Sequence, residues 1–275
     1  MWVKRLVLLL VLILAMSAAA VVPAGCSSGG TTGATQSAQI TTTANAGPAT
    51  ATTAPAGHAD LPEDLASPAQ DVLNAVYTSV VNIVVSGTAG GRTGQGVGSG
   101  IVYTTDGLIL TNDHVVTLDG SLTSGQTIGV TFSSGEQVPA TIVGEDASAD
   151  IAAIKVDKTG LNAVTFGRSS EVQLAEWVTV IGSPLDFSNT VSLGIVSGLN
   201  RTLNLGGGAP PLTGLMQLDA AISPGNSGGG CFDIRGRFIG MPEVYLPPGQ
   251  TGAENIGFAI PADTVASVAK TLTGR

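Results

Sequence analysis

The stretch Gly225-Asn226-Ser227-Gly228-Gly229-Gly230 sets one hydroxyl among four glycines. Glycine lets the backbone come close to a bound carbonyl and adopt conformations that free neighbouring N–H groups. A serine in that setting can attack an acyl carbon. The N–H groups of Gly225 and Ser227, with that of Asn226 beside them, can receive the developing oxyanion. A serine hydroxyl needs a base, and the chain has only two histidines, His58 and His114. His58 lies in a Thr/Ala/Gly/Pro-rich stretch and reads as a solvated linker residue. His114 follows Leu108-Ile109-Leu110-Thr111-Asn112-Asp113 and precedes Val115-Val116. A lone histidine beside apolar residues is commonly structural, yet a base for Ser227 has to come from His114.

A third group must hold the imidazole in one tautomer and stabilise its charged form. The candidates between His114 and Ser227 are Asp119, Asp146, Asp150, Asp157, Asp186 and Asp219. Asp150 opens the apolar run Ile151-Ala152-Ala153-Ile154, where a carboxylate can be fixed and partly desolvated. Asp146 lies in the polar run Gly144-Glu145-Asp146-Ala147-Ser148, which suits solvated surface. Position therefore favours Asp150. The glycines around Ser227 also fit the nucleophile elbow of α/β-hydrolases, but that fold needs a histidine after the serine. None follows Ser227.

The elements that position these groups read as β structure. The chain has 275 residues, 43% hydrophobic, 11% charged and 4% aromatic, with 38 Gly and 14 Pro. That composition excludes a charged coiled coil and a wholly disordered chain. A net charge of -9 without a basic run argues against nucleic acid as a partner. Two Cys and two His exclude a zinc site of the usual ligand spacing, so no metal is expected. Cys26 and Cys231 lie in such different contexts that a disulfide between them is not expected.

Short β-branched runs separated by glycine fall into two sets, which suggests two similar β units. Ser67-Pro68 can open a helix carrying Val72, Val76 and Val80, and a second helix is expected at 264–272. The N-terminus is an address. Lys4 and Arg5 precede an uncharged apolar run, and Ala24-Gly25-Cys26 resembles a bacterial lipobox, with Cys26 as the lipidated residue. An uncleaved signal anchor and plain secretion are the alternatives, and all three imply an extracytoplasmic protein. Residues 1–25 are read as signal and 26–66 as a flexible tether, too poor in large apolar residues to order itself.

The order His114, Asp150, Ser227 and several further blocks resemble the HtrA/Deg family of trypsin-like serine proteases. Gly98-Ser99-Gly100-Ile101 with Thr111-Asn112-Asp113-His114-Val115-Val116 is similar to that family's His region, and Asp150-Ile151-Ala152 to its Asp region. Ile181-Gly182-Ser183-Pro184 and residues 191–201 (VSLGIVSGLNR) resemble the opening of its second barrel. Asp219-Ala220-Ala221-Ile222 leading to Gly225-Asn226-Ser227-Gly228-Gly229 resembles its nucleophile loop, and Ile256-Gly257-Phe258-Ala259-Ile260-Pro261 its last strand.

The resemblance implies an all-β fold of two six-stranded antiparallel barrels with short N-terminal and C-terminal helices. It places a protease domain at 67–275, with barrel one at about 80–160, barrel two at about 175–261 and a closing helix at about 262–273. It implies a Ser-His-Asp endopeptidase of unfolded or damaged envelope proteins that needs no cofactor. Homotrimers, common in the family, are an available assembly. A PDZ domain, usual after the protease, is not expected. The base of the primary specificity pocket falls on Ala221, with Ile222, Ile256 and Phe258 as further candidates. An uncharged pocket predicts cleavage after small or medium aliphatic residues. Cys231 is expected to be a buried thiol. A non-catalytic chaperone-like binder on the same fold, or an ester hydrolase, would use the same cleft.

Overall fold

The computed structural model describes residues 68–89, 92–118, 124–183, 190–204, 211–246 and 255–275. The signal, the tether, Cys26 and His58 lie outside the described residues, as do Asp119 and Asp186. The first helix, α1 (Pro68–Val76), carries Asp71 in its first turn and buries Val72 and Val76, one helical turn apart. A 3-10 turn, Tyr77–Ser79, leads into the first strand.

Barrel one is built from β1 (Val80–Ala89), β2 (Arg92–Val102), β3 (Leu108–Thr111), β4 (Ser124–Thr131), β5 (Gln137–Asp146) and β6 (Ile151–Val156). Their order is β1-β2-β3-β6-β5-β4, closed because β1 pairs with both β2 and β4. Closure leaves no unpaired edge. Along β5 exposed and half-buried residues alternate, the mark of a strand with one wet face. β6 is buried at every position but Lys155, as its apolar run Ile151-Ala152-Ala153-Ile154 requires. A short helix, α2 (Asp113–Thr117), follows β3 directly.

Barrel two uses β8 (Trp177–Gly182), β9 (Thr190–Leu203), β10 (Leu212–Leu218), β11 (Gly230–Phe232), β12 (Arg237–Tyr245) and β13 (Gly257–Pro261). The order is β11-β8-β9-β10-β13-β12, and the β11–β12 pairing closes the circle. A two-residue strand, β7 (Thr165–Phe166), adds to β12 in parallel. The expected pair of six-stranded antiparallel barrels is therefore the fold. The closing helix α3 (Ala262–Thr273) follows β13 without a loop and buries Ala262, Val265 and Ala269.

The β-branched pattern predicts a strand over 98–104, whereas β2 begins at Arg92; the sequence hides its first half, which is rich in glycine, a poor strand former. Those glycines recur at every second position, so Gly94, Gly96, Gly98 and Gly100 share one face. A Cβ at Gly98 would lie 2.6 Å from Val115, and one at Gly100 would lie 2.7 Å from Ile109. A side chain at Gly98 would evict α2, and one at Gly100 would crowd the interior of barrel one. The glycine face is what lets the helix carrying His114 seat against the barrel.

Three apolar clusters hold the molecule. One fills barrel one around Ile83, Ile109, Val116 and Ile154. Another fills barrel two around Val178, Val196, Leu218 and Cys231. The third joins the barrels and the terminal helices, bringing Val72 and Val76 together with Ile101, Ile151, Phe232, Phe238, Ile260 and Val265. Helix α3 also reaches back to barrel one, where Arg275 Nη1 meets Asp106 Oδ2 at 2.7 Å.

Polar groups stitch the same seam. The Ser99 hydroxyl, on fully buried β2 backbone, donates to the Gly225 carbonyl at 2.6 Å and accepts from the Ser183 N–H at 2.7 Å. Asn82 Nδ2 donates to the Ser183 carbonyl at 2.7 Å. One barrel-one side chain thus binds two segments of barrel two. Ser99→Ala strands both partners in a buried site, at a cost of about 1–3 kcal/mol. The expected outcome is a fall in Tm on the order of 5 °C, read by calorimetry. An unchanged Tm would show that the seam does not need this hydroxyl.

Candidate active site

Asn112 ends the β3 segment in extended conformation (φ -73°, ψ 147°) and caps α2 without using its own side chain on the helix. Its Nδ2 instead donates to the Asp150 carbonyl at 2.9 Å. That bond anchors Asp150, which takes a left-handed conformation (φ 53°). Aspartate tolerates this region better than most residues because its short side chain can bond nearby, but the conformation still costs roughly 1 kcal/mol. The turn aims the carboxylate at α2. Asp150 Oδ1 accepts the His114 backbone N–H at 2.8 Å, and Oδ2 meets His114 Nδ1 at 2.7 Å. A carboxylate next to Nδ1 fixes the proton there, which leaves Nε2 as the basic nitrogen. The His114 side chain is about one-third exposed while Asp150 is mostly shielded (33% and 13%). The imidazole can meet a substrate, and the carboxylate behind it stays dry.

Barrel two brings the serine. The Ser99 N–H donates to the Ser227 carbonyl at 2.9 Å. Gly228 (φ 82°) lies so close to barrel one that a Cβ would crowd Thr111 Oγ1 and the Ser99 carbonyl, and would reach 3.1 Å from the Asn112 N. The nucleophile loop therefore rests directly on the segment that carries His114. The Gly228 N–H donates to the Pro242 carbonyl at 3.2 Å, and Ser227 Oγ donates to the Glu243 carbonyl at 3.1 Å. Within the loop the Asn226 N–H turns to the Ser223 carbonyl at 3.0 Å. It is thereby spent, which leaves the N–H groups of Gly225 and Ser227 as the candidates for an oxyanion hole. Gly225 takes φ 97°, a conformation that a side chain would oppose.

The pocket candidates divide. Ile222 and Phe258 are buried, Ile256 is half-buried and Ala221 is exposed. A Cβ at Gly257 would lie 2.5 Å from Ile222 Cδ1, so the missing side chain lets the nucleophile loop lie on β13. The Ala221 carbonyl accepts the Ser192 hydroxyl at 2.7 Å. Cys231 is a buried free thiol, and burial pushes its ionisation far above the usual range. Asp146 spends its carboxylate on its own turn, accepting from the Ser148 hydroxyl at 2.6 Å. Asp219 Oδ1 accepts the Ile195 N–H at 2.7 Å.

Residues without a role in the sequence reading also belong here. Ser99 and Asn112 lie inside recognised blocks, but nothing in their type announces a bridge between barrels or a hold on Asp150. Glu243 is a third case. Its one signal is a carboxyl in the otherwise apolar middle of β12. Its Oε2 is buried with no hydrogen-bond partner. Burial pushes this carboxyl up to about 8, and the Asp150 charge adds to the shift. Asp113, next to His114, is likewise raised to about 6, chiefly by burial and then by the charges of Asp150 and Glu145. Carboxyl groups are concentrated around a single imidazole.

This arrangement has counterparts. Residues 98–241 match the family model described as "Trypsin-like peptidase domain". The chain is 38% identical over 178 residues to "Putative serine protease HhoB" of Synechocystis sp., covering 65% of this chain and 40% of that one. It is 37% identical over 206 residues to "Serine protease PepD" of Mycobacterium tuberculosis, covering 70% and 44%. A "Probable periplasmic serine endoprotease DegP-like" of Ectopseudomonas mendocina is 36% identical over 182 residues, covering 66% and 36%. The chain thus spans less than half the length of these curated relatives. Among solved structures, "HtrA-type protease AlgW with tripeptide" superposes with a TM-score of 0.64 at 30% identity, over 76% of this chain and 64% of that one. A shared double barrel and matches of this extent have one reading: the chain belongs to the trypsin-like peptidases, beside the HtrA/DegP-like serine proteases.

Proposed function

We propose that the chain is a serine endopeptidase in which Ser227 attacks the scissile carbonyl, His114 carries the proton and Asp150 orients His114. The observation that carries this reading is the two-point grip of Asp150 on His114, through the ring nitrogen at 2.7 Å and the backbone N–H at 2.8 Å. A histidine needed only for packing has no use for a buried carboxylate that sets its tautomer. The first step is then explicit. Ser227 Oγ leaves the Glu243 carbonyl, which it meets at 3.1 Å, for His114 Nε2. It gives its proton to Nε2 as it bonds to the substrate carbon, while the N–H groups of Gly225 and Ser227 hold the oxyanion. His114 passes the proton to the leaving amine, which departs and leaves an acyl-Ser227. Water, deprotonated by the same nitrogen, releases the acid.

The names of the relatives support peptide rather than ester substrates, and the DegP-like ones support an extracytoplasmic site of action. Unfolded or damaged envelope proteins are the proposed substrates, and Ala221, exposed and uncharged, offers no charge to select among them. An unpaired buried charge is costly, so Lys or Arg before the scissile bond finds no counter-charge in such a pocket. The proposal extends to the N-terminal segment: 1–25 as a lipoprotein-type signal, Cys26 as the acylated residue and 26–66 as the tether that holds the protease at the membrane.

Three outcomes are expected. Ser227→Ala and His114→Ala each lower kcat on unfolded casein by on the order of 10⁶, and Ser227→Ala abolishes labelling by a fluorophosphonate probe. Probe labelling on any other residue contradicts the assignment. In a library of quenched peptides, Ala, Val and Leu before the scissile bond exceed Arg by more than about tenfold in kcat/KM, and an Arg preference overturns the pocket. Cys26→Ser moves the protein from the membrane fraction to the soluble fraction and removes labelling by a clickable palmitate analogue.

A further inference from the structure

Glu243 sits at a break in strand register. β12 pairs with β13 as Pro242↔Ala259 and then Val244↔Phe258, so Glu243 is the extra residue of a bulge. Bulges beside active sites re-aim a side chain that regular pleating would send elsewhere. Here the backbone of the bulge faces the nucleophile, its carbonyl accepting Ser227 Oγ at 3.1 Å. Its carboxyl faces the other two members. Asp150 repels its ionised form and accepts from its neutral form, and His114 favours the ionised form. Oε2 is buried with no partner.

The charged groups around this carboxyl are few. Among the described residues, His114 of α2 and Asp150 in the turn before β6 act on it, while Asp113 and Glu145 act on Asp150's side of the helix and on each other. The flanking partners on β13, Ala259 and Phe258, do not titrate. A second carboxylate beside Asp150, with no cation but His114 acting on it among the described residues, is unfavourable, so the proton stays on Glu243.

We propose that Glu243 is a positioning residue: its neutral carboxyl donates a hydrogen bond to the Asp150 carboxylate and holds it in line with His114, and loss of that proton withdraws the support. The inference rests on the triad reading above. It adds a chemical consequence that the triad alone does not have, an alkaline off-switch built into the strand after the nucleophile. With Glu243 ionised, Asp150 loses a donor and gains a like charge beside it. One of the two carboxylates must then move away.

The sign of the stability effect follows from the raised affinity for the proton. The usual carboxyl value is 4.5, and in the folded protein it is about 8. Stability from this group is fully present below the lower value and is lost as pH rises through the upper one. Asp113, raised to about 6, completes most of its own titration lower down, and comparison with Glu243→Gln separates the Glu243 proton from that of His114.

The test uses the full chain with Glu243 intact, Glu243→Gln and Glu243→Ala. Profiles of kcat/KM are taken on one quenched peptide from about pH 6.5 to 9.5, and melting curves are taken at both ends in a Ser227→Ala background. At pH 7 Glu243→Ala loses about tenfold, the value of one hydrogen bond to a charged group, and Glu243→Gln, which still donates, recovers most of that loss. The intact protein falls in activity near pH 8, while Glu243→Gln does not. Its Tm falls between the two pH values by several degrees more than that of Glu243→Gln. Superimposable rate and melting profiles for the intact protein and Glu243→Gln overturn the inference, as does a Gln variant no better than the Ala variant. Hydrolysis that survives Ser227→Ala and His114→Ala refutes the triad instead, and the melting comparison still reports the Glu243 proton.

Discussion

One carboxylate decides where the imidazole points. Asp150 holds His114 by backbone and ring together, so the helix start and the side-chain tautomer are set by the same two oxygens. A single bond to the ring would leave the helix free to shift, and a single bond to the backbone would leave the ring free to turn. Both bonds require the carboxylate to arrive from outside the helix at a fixed angle. The left-handed backbone of Asp150 and the Asn112 clasp on its carbonyl supply that angle. The glycine face of β2 then gives the helix a place to sit.

The serine is set by an independent constraint. Among the described residues the nucleophile loop meets barrel one at the seam, and there the polar contacts are backbone, hydroxyl or amide groups rather than ion pairs. Ser99 contributes its N–H, its carbonyl and its hydroxyl, reaching Ser227, Thr111, Gly225 and Ser183. Bonds of this kind are short and directional, and they carry no net charge to be screened. The ionisable groups are concentrated one layer away, around the imidazole. Burial there raises the proton affinity of Asp113 and Glu243, so the site tolerates its excess of carboxyls by keeping some of them neutral.

Much of the architecture was legible because closed barrels repeat a simple signal. Apolar runs such as Ile151-Ala152-Ala153-Ile154 and the alternation along β5 can only be strands, and the glycines between them mark the turns. The first half of β2 was not legible, since alternating glycine carries no apolar period and its purpose is the approach of another element. At the site, elimination leads to His114, and chain position together with the family resemblance leads to Asp150. The structure brings those two into contact and sets the Ser227 loop on the segment that leads into His114. Glu243 escaped because a carboxyl on a strand reads as an outward-facing residue, and only the bulge turns it inward. Asn226 illustrates the opposite limit: sequence offers three N–H groups in a row, and the loop conformation spends one of them on Ser223.

A structure with a peptide boronate bound tests the central claim most directly. The account predicts boron bonded to Ser227 Oγ, with one boronate oxygen about 2.7–3.1 Å from the N–H groups of both Gly225 and Ser227 and the other facing His114 Nε2. A boronate bound elsewhere, or a tetrahedral adduct whose oxygens reach neither pair of donors nor the imidazole, would contradict it.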